Sequence, residues 1–156
     1  MDIAEEVGLL LKKNKLNLAI AESCTGGLVG DLITNISGSS DYFLGGIIAY
    51  DNRIKIEVLG VKRETIDLYG AVSEETAKEM ASCVREKFGS DIAVSITGVA
   101  GPTGGSEEKP IGLTYIGLAT RDTVIAKKFL WKGNRIENKE QSAKAALEII
   151  REYLEV

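Results

Sequence analysis

The sequence contains no histidine among its 156 residues, so the side chain that most often acts as an acid or base near neutral pH is absent. A serine or cysteine nucleophile in this chain must therefore use a different base. The two cysteines, Cys24 and Cys83, form no CxxC pair and have no metal-ligand spacing. These absences argue against a disulfide scaffold and a cysteine zinc site, and they favour a reduced, intracellular compartment.

The sequence also has no long run of apolar residues or of basic residues. No stretch approaches the ~20 apolar residues of a membrane span, and the acidic N-terminus, with Asp2, Glu5 and Glu6, is unlike a signal peptide. There is no long basic run, and the net charge is −4 with a pI of about 5.0, which argues against nucleic-acid binding. We therefore expect a cytoplasmic protein that contacts neither nucleic acid nor membrane.

The remaining composition, 44% apolar and 27% charged residues, is ordinary for a globular protein, and the length argues for one domain over residues 1–156. Periodicity predicts the order α-β-α-β-α-α-β-β-β-α. The predicted helices cover 2–14, 25–35, 52–59, a segment capped by Ser73, and 134–153; the predicted strands cover 16–21, 43–50, 91–97, 111–120 and 124–131. This order indicates a three-layer α/β fold, with helices on both faces of a mixed, mostly parallel sheet that includes one antiparallel hairpin.

The segment Ala21-Glu22-Ser23-Cys24-Thr25-Gly26-Gly27 joins a predicted strand to a predicted helix. A hydroxyl at such a junction is exposed at the carboxyl edge of the sheet, beside backbone N–H groups that attract anions and developing oxyanions. Ser23 is therefore a candidate nucleophile or part of an anion cradle, and Cys24 competes with it as nucleophile. The alternative is a tight turn capped by Ser23 or Thr25, with Cys24 as a buried structural residue.

A second candidate is the loop 98–110, which follows a predicted strand. It holds both prolines of the chain and the four glycines Gly98, Gly101, Gly104 and Gly105. Such a loop can present backbone N–H groups to a phosphate. Its spacing is neither GxxxxGK[ST] nor GxGxxG, so a P-loop is excluded and a dinucleotide fingerprint is unsupported. A purely structural loop is the alternative, although long glycine-rich loops in compact domains are more often functional.

Two cationic side chains, those of Lys55 and Arg135, occupy positions where they could take part in a reaction or bind a ligand. Lys55 could act as the missing base, since serine–lysine pairs are a known alternative to histidine. Its pKa would have to fall from ~10.4 to about 7–8, which corresponds to roughly 4 kcal/mol of desolvation or charge repulsion. Arg135 falls in the first turn of a predicted helix, where the dipole disfavours cations, so it is a candidate anion ligand. A solvated surface position is the alternative for both.

These segments together resemble the family of the C-terminal domain of the competence/damage-inducible protein CinA, which includes stand-alone nicotinamide-nucleotide amidases. The resemblance is carried by AESCTGGLVG, SGSSDYFLGGIIAYDNRIK, LGV, GAVSEETAKEMA, AVSITGVAGPTGGSEEKPIG and KGNR, spread from about residue 5 to residue 150. The N-terminal domain of full-length CinA is not part of this sequence, so we expect the stand-alone form.

The resemblance implies hydrolysis of the carboxamide of nicotinamide mononucleotide to nicotinate mononucleotide and ammonia, with no metal or other cofactor. It implies Ser23 as nucleophile and Lys55 as its base, and it singles out Tyr50, Thr97 and Arg135 as further site residues. Many relatives carry a second arginine where this chain has Lys139, which lacks the planar fork for bidentate phosphate contact. A homo-oligomer is also expected from the relatives.

The resulting hypothesis gives every candidate residue a role. Neutral Lys55 takes the proton of Ser23, the N–H groups of Cys24, Thr25 and Gly26 stabilise the oxyanion, and Tyr50 and Thr97 position the carboxamide or ribose. The loop from Gly98 to Gly105, with Gly101 and Gly104, holds the phosphate together with Arg135. The alternatives are a non-catalytic nucleotide-binding module, a partner in DNA repair or competence, and an amidase for another pyridine compound such as nicotinamide riboside.

Overall fold

Helices and strands alternate along the chain in the computed structural model, which describes residues 1–155. The helices are α1 (Ile3–Asn14), α2 (Leu28–Thr34), α3 (Asn52–Ile54), α4 (Arg63–Tyr69), α5 (Glu74–Phe88) and α6 (Arg135–Glu155). The strands are β1 (Leu18–Glu22), β2 (Phe43–Ile48), β3 (Ile92–Gly98), β4 (Leu113–Ala119) and β5 (Val124–Leu130). A 3₁₀ turn at Ser39–Asp41 precedes β2, and a π-helical turn at Lys55–Leu59 continues α3.

The strands form one sheet in the order β2-β1-β3-β4-β5. Strand β1 pairs in parallel with β2 and β3, whereas β4 pairs antiparallel with both β3 and β5. Every strand except β4 therefore runs in the same direction, and β4–β5 is the predicted hairpin. Glu22 lies opposite both Ile48 and Ile96, so the carboxyl ends of the three parallel strands meet at one edge of the sheet.

Helices cover both faces of the sheet. Helices α1, α2 and α6 pack on one face around residues such as Leu18, Ile20 and Val94, and α5 packs on the other against Ala19 and Ala93. All five residues of β1 are buried, as expected for a central strand with both faces covered. The predicted three-layer α/β fold is thereby confirmed.

Local capping signals are confirmed where the sequence supplies them. The Ser73 hydroxyl accepts a hydrogen bond from the Thr76 N–H at the start of α5 (3.1 Å). The N–H of Glu137 donates to the Asn134 side chain, and the N–H of Asn134 donates to the Glu137 carboxylate, both at 2.9 Å. This reciprocal pair is the capping box that the spacing predicts at the start of α6.

Other boundaries differ from the prediction. Helix α2 begins at Leu28 rather than Thr25, because Gly26 and Gly27 take φ values of 60° and 108° and form a turn. Helix α4 was not predicted. Its cap is supplied from α5, where the Glu79 carboxylate accepts the Lys62 N–H (3.0 Å) and the Thr65 hydroxyl, a contact across the fold that no local pattern shows.

Candidate active site

A cavity of about 310 Å³ opens at the carboxyl edge of the parallel strands. Its walls come from the turn after β1, the segment after β2, the α4–α5 connection, the loop after β3 and the start of α6. The lining residues are Ser23, Cys24, Tyr50, Asn52, Lys55, Ala71, Val72, Thr97, Gly98, Val99, Ala100, Gly101, Thr103, Gly104 and Arg135. The sheet edge therefore brings together candidate residues that lie more than a hundred positions apart in sequence.

Three of the residues singled out in the sequence are not part of this lining. The Thr25 side chain is buried, with no hydrogen-bond partner for its hydroxyl among the described residues. A Cβ at Gly26 would lie 4.0 Å from Lys139 Nζ, and a Cβ at Gly105 would lie 2.8 Å from the Ile111 side chain. Thr25 and Gly26 thus form the turn beneath the cavity, and Gly105 packs against Ile111 at the end of the loop.

Ser23 directly follows β1 and is held by its backbone. Its N–H donates to the Ile96 carbonyl on β3 (3.0 Å), and its carbonyl accepts the Gly26 N–H (3.1 Å). The second bond occupies the Gly26 N–H, so Cys24 and Thr25 carry the candidate oxyanion donors. No acceptor for either of their N–H groups is present in the part of the chain described. The turn therefore combines a hydroxyl on the cavity lining with two backbone donors that bond to no other described residue.

Glu22 is a supporting residue that sequence reasoning missed. Its carboxylate is 1% exposed and accepts the N–H groups of Gly27 (3.2 Å), Val29 (3.0 Å) and Gly30 (3.0 Å). It therefore takes up the donors at the start of α2, where the helix dipole favours a negative charge. The available signal was one acidic residue closing an otherwise apolar strand just before a turn. Glu22 makes the turn rigid on the side away from the cavity.

Lys55 is buried, with 2% of its surface exposed, which rules out the solvated surface position. It opens the π-helical turn, and its carbonyl accepts the N–H groups of both Gly60 (3.0 Å) and Val61 (2.8 Å). Its ammonium donates to the Tyr50 carbonyl at 3.0 Å. Burial lowers the pKa of Lys55, an effect opposed in part by Cys24, where its thiol is ionised, and by the carboxylate of Asp51. The structure thus supplies the desolvation that a lysine base needs.

Cys24 has the opposite electrostatic character. Burial raises the pKa of its thiol to about 11, although its own backbone N–H and Lys55 act to lower the pKa. The thiol is therefore protonated at neutral pH, whereas a reactive cysteine has a lowered pKa. This environment favours Ser23 over Cys24 as the nucleophile.

The far side of the cavity carries a network around Arg135. Its guanidinium donates to the Gly101 carbonyl (2.7 Å) and to the Tyr50 hydroxyl (3.2 Å). The Thr97 hydroxyl donates to the Ala71 carbonyl (2.7 Å), so it can offer only an acceptor to a ligand, while Tyr50 keeps its proton to donate. Asn52 and Thr103, which sequence reasoning did not single out, add further polar groups.

The charge of the cavity differs from that of the whole protein. Among the described residues its lining includes the guanidinium of Arg135 and the amine of Lys55 and no acidic side chain, although the chain carries a net charge of −4. Within residues 1–155 no three His, Cys, Asp or Glu side chains are grouped as a metal site requires. The arrangement suits an anionic ligand held next to a hydroxyl nucleophile.

Comparison with known proteins assigns the family. The family model of the CinA C-terminal domain matches residues 1–154. The chain belongs to this family. A CinA-like protein of Chloroherpeton thalassium is 51% identical over 158 residues, which cover 99% of this chain and 38% of that protein. A CinA-like protein of Kosmotoga olearia is 49% identical over 152 residues, which cover 97% of this chain and 37% of that protein. The chain thus spans less than two fifths of these relatives.

Solved structures of the family share the fold. The competence damage-inducible protein A of Klebsiella pneumoniae superposes with a TM-score of 0.94 at 29% identity and covers 97% of this chain and 94% of its own. The competence/damage inducible protein CihA of Agrobacterium tumefaciens gives a TM-score of 0.93 at 35% identity, over 100% and 97% of the two chains. The resemblance drawn from the motifs is confirmed.

The location in the cell and the oligomeric state were also predicted from the sequence. None of the helices within residues 1–155 has the length and apolarity needed to cross a bilayer. The stand-alone form, the cytoplasmic location and the homo-oligomer stay predictions.

Replacing Glu22 with glutamine should destabilise the protein by about 2–3 kcal/mol, because charge-assisted hydrogen bonds to buried backbone donors are lost and an amide NH₂ is turned towards N–H groups. Urea unfolding measures the loss. Glu140→Gln, an exposed change on α6, should stay within about 0.5 kcal/mol of wild type. Equal stability of the Glu22 variant and the control would contradict the anchoring role.

Lys55 should make stability depend on pH. Below its lowered folded-state pKa, Lys55 is charged in both states; between that pKa and the unfolded value near 10.5, only the unfolded state keeps the proton. Wild type should therefore gain stability relative to Lys55→Met as pH rises, by at most about 1.4 kcal/mol per pH unit. Urea unfolding of both proteins from about pH 7 to 10 tests this, with exposed Lys132→Met as control. A difference independent of pH would show that Lys55 is not desolvated.

Proposed function

We propose that this protein is an amidohydrolase that converts nicotinamide mononucleotide into nicotinate mononucleotide and ammonia, with Ser23 as nucleophile and Lys55 as base. The observation that carries the proposal is a buried lysine of lowered pKa and a strand-end serine on one cavity, in a chain without histidine. The family resemblance supplies the substrate. The excess positive charge of the cavity supports a substrate that carries a phosphate.

In the first half of the reaction, the neutral amine of Lys55 accepts the proton of Ser23 while Oγ attacks the carboxamide carbon. The N–H groups of Cys24 and Thr25 stabilise the oxyanion. Collapse of the tetrahedral intermediate breaks the C–N bond, and Lys55 returns the proton to the departing nitrogen, which leaves as ammonia. An ester between Ser23 and the nicotinoyl group is formed.

In the second half, water attacks the ester and Lys55 accepts its proton. The ester bond to Ser23 Oγ breaks, and Lys55 protonates the serine oxygen. Nicotinate mononucleotide is released and the free enzyme is regenerated. For both halves the Lys55 amine turns from the Tyr50 carbonyl, its partner at 3.0 Å, towards Ser23. Hydrogen bonds of catalytic groups often tighten only once substrate is bound.

The remaining polar groups fit the rest of the substrate. Since the Thr97 hydroxyl already donates to Ala71, it accepts from a carboxamide N–H or a ribose hydroxyl. The Tyr50 hydroxyl accepts from Arg135 and donates to the substrate. Arg135 and the backbone of the loop from Gly98 to Gly104 hold the phosphate, since an arginine fork and exposed N–H groups both suit its oxygens.

Ser23→Ala should lower the rate of ammonia release from nicotinamide mononucleotide by about 10³-fold or more, because no covalent intermediate can form. Cys24→Ala, which keeps the backbone N–H, should retain most of the activity. Ammonia release by both variants and wild type is measured under the same conditions. Full activity of Ser23→Ala, or loss confined to Cys24→Ala, would overturn the assignment. Nucleotide binding without ammonia release by wild type would favour a binding module instead.

Arg135→Ala should raise KM for nicotinamide mononucleotide by about 10- to 100-fold, the effect of losing a hydrogen bond between charged groups. The KM for nicotinamide riboside, which lacks the phosphate, should rise much less, by the effect of losing the contact between Arg135 and Tyr50 alone. Exposed Lys132→Ala, three positions away, serves as the control for a change in net charge. Equal effects of Arg135→Ala on both substrates would place the phosphate elsewhere.

A further inference from the structure

The chain between α4 and α5 is held by an unusual set of hydrogen bonds. Each of the four consecutive carbonyls from Tyr69 to Val72 accepts a side-chain donor. Lys109 donates to Tyr69 (3.3 Å) and Val72 (2.6 Å). Gly70 accepts from Ser73 (2.9 Å) and Thr76 (2.7 Å), and Ala71 accepts from Thr97 (2.7 Å). The end of α4 and the irregular residues after it are thus fixed by donors from the start of α5, from β3 and from the loop after β3.

Lys109 is the donor that comes from farthest away. It closes a turn in which the Ser106 N–H donates to the Lys109 carbonyl (2.8 Å) and the Lys109 N–H donates to the Ser106 hydroxyl (3.0 Å). Its ammonium then reaches back across 37 positions to Val72. In the part of the chain that the structure describes, no carboxylate lies within ion-pair distance of it, despite the neighbouring Glu107 and Glu108. The Lys109 ammonium therefore donates its hydrogen bonds to backbone carbonyls.

The two segments that Lys109 joins both line the cavity. Ala71 and Val72 belong to the α4–α5 connection, and Val99, Gly101 and Gly104 belong to the loop. The loop also bonds to β4 at its ends, through Val99 and Gly112, but between these ends Lys109 makes its contact with the other wall. Thr97 at the end of β3 also binds Ala71 of the connection (2.7 Å), and Arg135 binds Gly101 of the loop (2.7 Å). Lys109 adds the tie from the far end of the loop to Val72.

The geometry points to Lys109 as a positioning residue that sets the width of the active-site cavity by tying the loop after β3 to the α4–α5 connection. This inference rests on the proposed function for its substrate. Lys109 does not line the cavity, so it acts through Val72 and the loop, not by contact with substrate. Ser23 and Lys55 lie on other elements and keep their positions without it.

Lys109→Met keeps the length of the side chain and removes its donors. It should raise KM for nicotinamide mononucleotide about tenfold, leave kcat within about threefold of wild type, and leave the pH profile of kcat unchanged. Lys109→Arg retains donors for both carbonyls and should restore KM to within about threefold. An unchanged KM in Lys109→Met, or a fall in kcat without a rise in KM, would overturn the inference.

Hydrogen–deuterium exchange gives a second readout that needs no activity. In Lys109→Met, peptides covering 69–76 and 98–112 should exchange about tenfold faster, since backbone bonds in both walls lose their support. Peptides of α1 and α6 should exchange as in wild type. Lys128→Met is the control, because Lys128 and Lys109 line the same second cavity outside the active site. This variant should leave the exchange rates of both walls as in wild type.

The two tests separate the two proposals. Wild-type exchange in both walls of Lys109→Met, or faster exchange spread over the whole protein, would overturn the role of Lys109. Absence of ammonia release by wild-type protein would overturn the proposed function, and the exchange pattern would still decide whether Lys109 ties the walls together.

Discussion

The burial of Lys55 is the constraint on which the rest of the site depends. A primary amine removed from water favours its neutral form, and only the neutral form can take a proton from serine. The fold achieves this burial through a π-helical turn after β2, an arrangement often found at functional sites. One carbonyl, that of Tyr50, accepts a hydrogen bond from the amine. No carboxylate within residues 1–155 pairs with Lys55 and keeps it charged.

The residues around Ser23 also keep a carboxylate away from the reacting groups. Glu22 carries the negative charge, but it is directed away from the cavity and onto the amides of α2. The turn that follows places Ser23 and Cys24 on the cavity lining, and the N–H groups of Cys24 and Thr25 bond to no other described residue. Because the acids lie outside the lining and Arg135 lies within it, an acidic protein presents a local positive field where a phosphate would enter.

Sequence reasoning succeeded where the physics is local and failed where it is not. The caps Ser73 and Asn134 precede their own helices, so their spacing predicts those boundaries. The cap of α4 comes from Glu79 on another helix, and the anchoring role of Glu22 depends on a turn whose shape is set by two glycines. The motifs singled out Ser23, Lys55 and Arg135, and the sheet edge brings them together. The burial of Lys55 could not be predicted, since solvation depends on what packs around a side chain.

The central claim is that Lys55 loses its proton more readily than an ordinary lysine. The direct test is a ¹³C NMR titration of the lysine ε-carbons, with the Lys55 signal assigned by its absence in Lys55→Arg. The account predicts that this signal titrates at a lower pH in the folded protein than in the urea-unfolded protein, where a lysine has its reference pKa of about 10.4. Titration of Lys55 at the same pH in the folded and the unfolded protein would contradict the account, because the amine would then stay charged at neutral pH and could not serve Ser23 as a base.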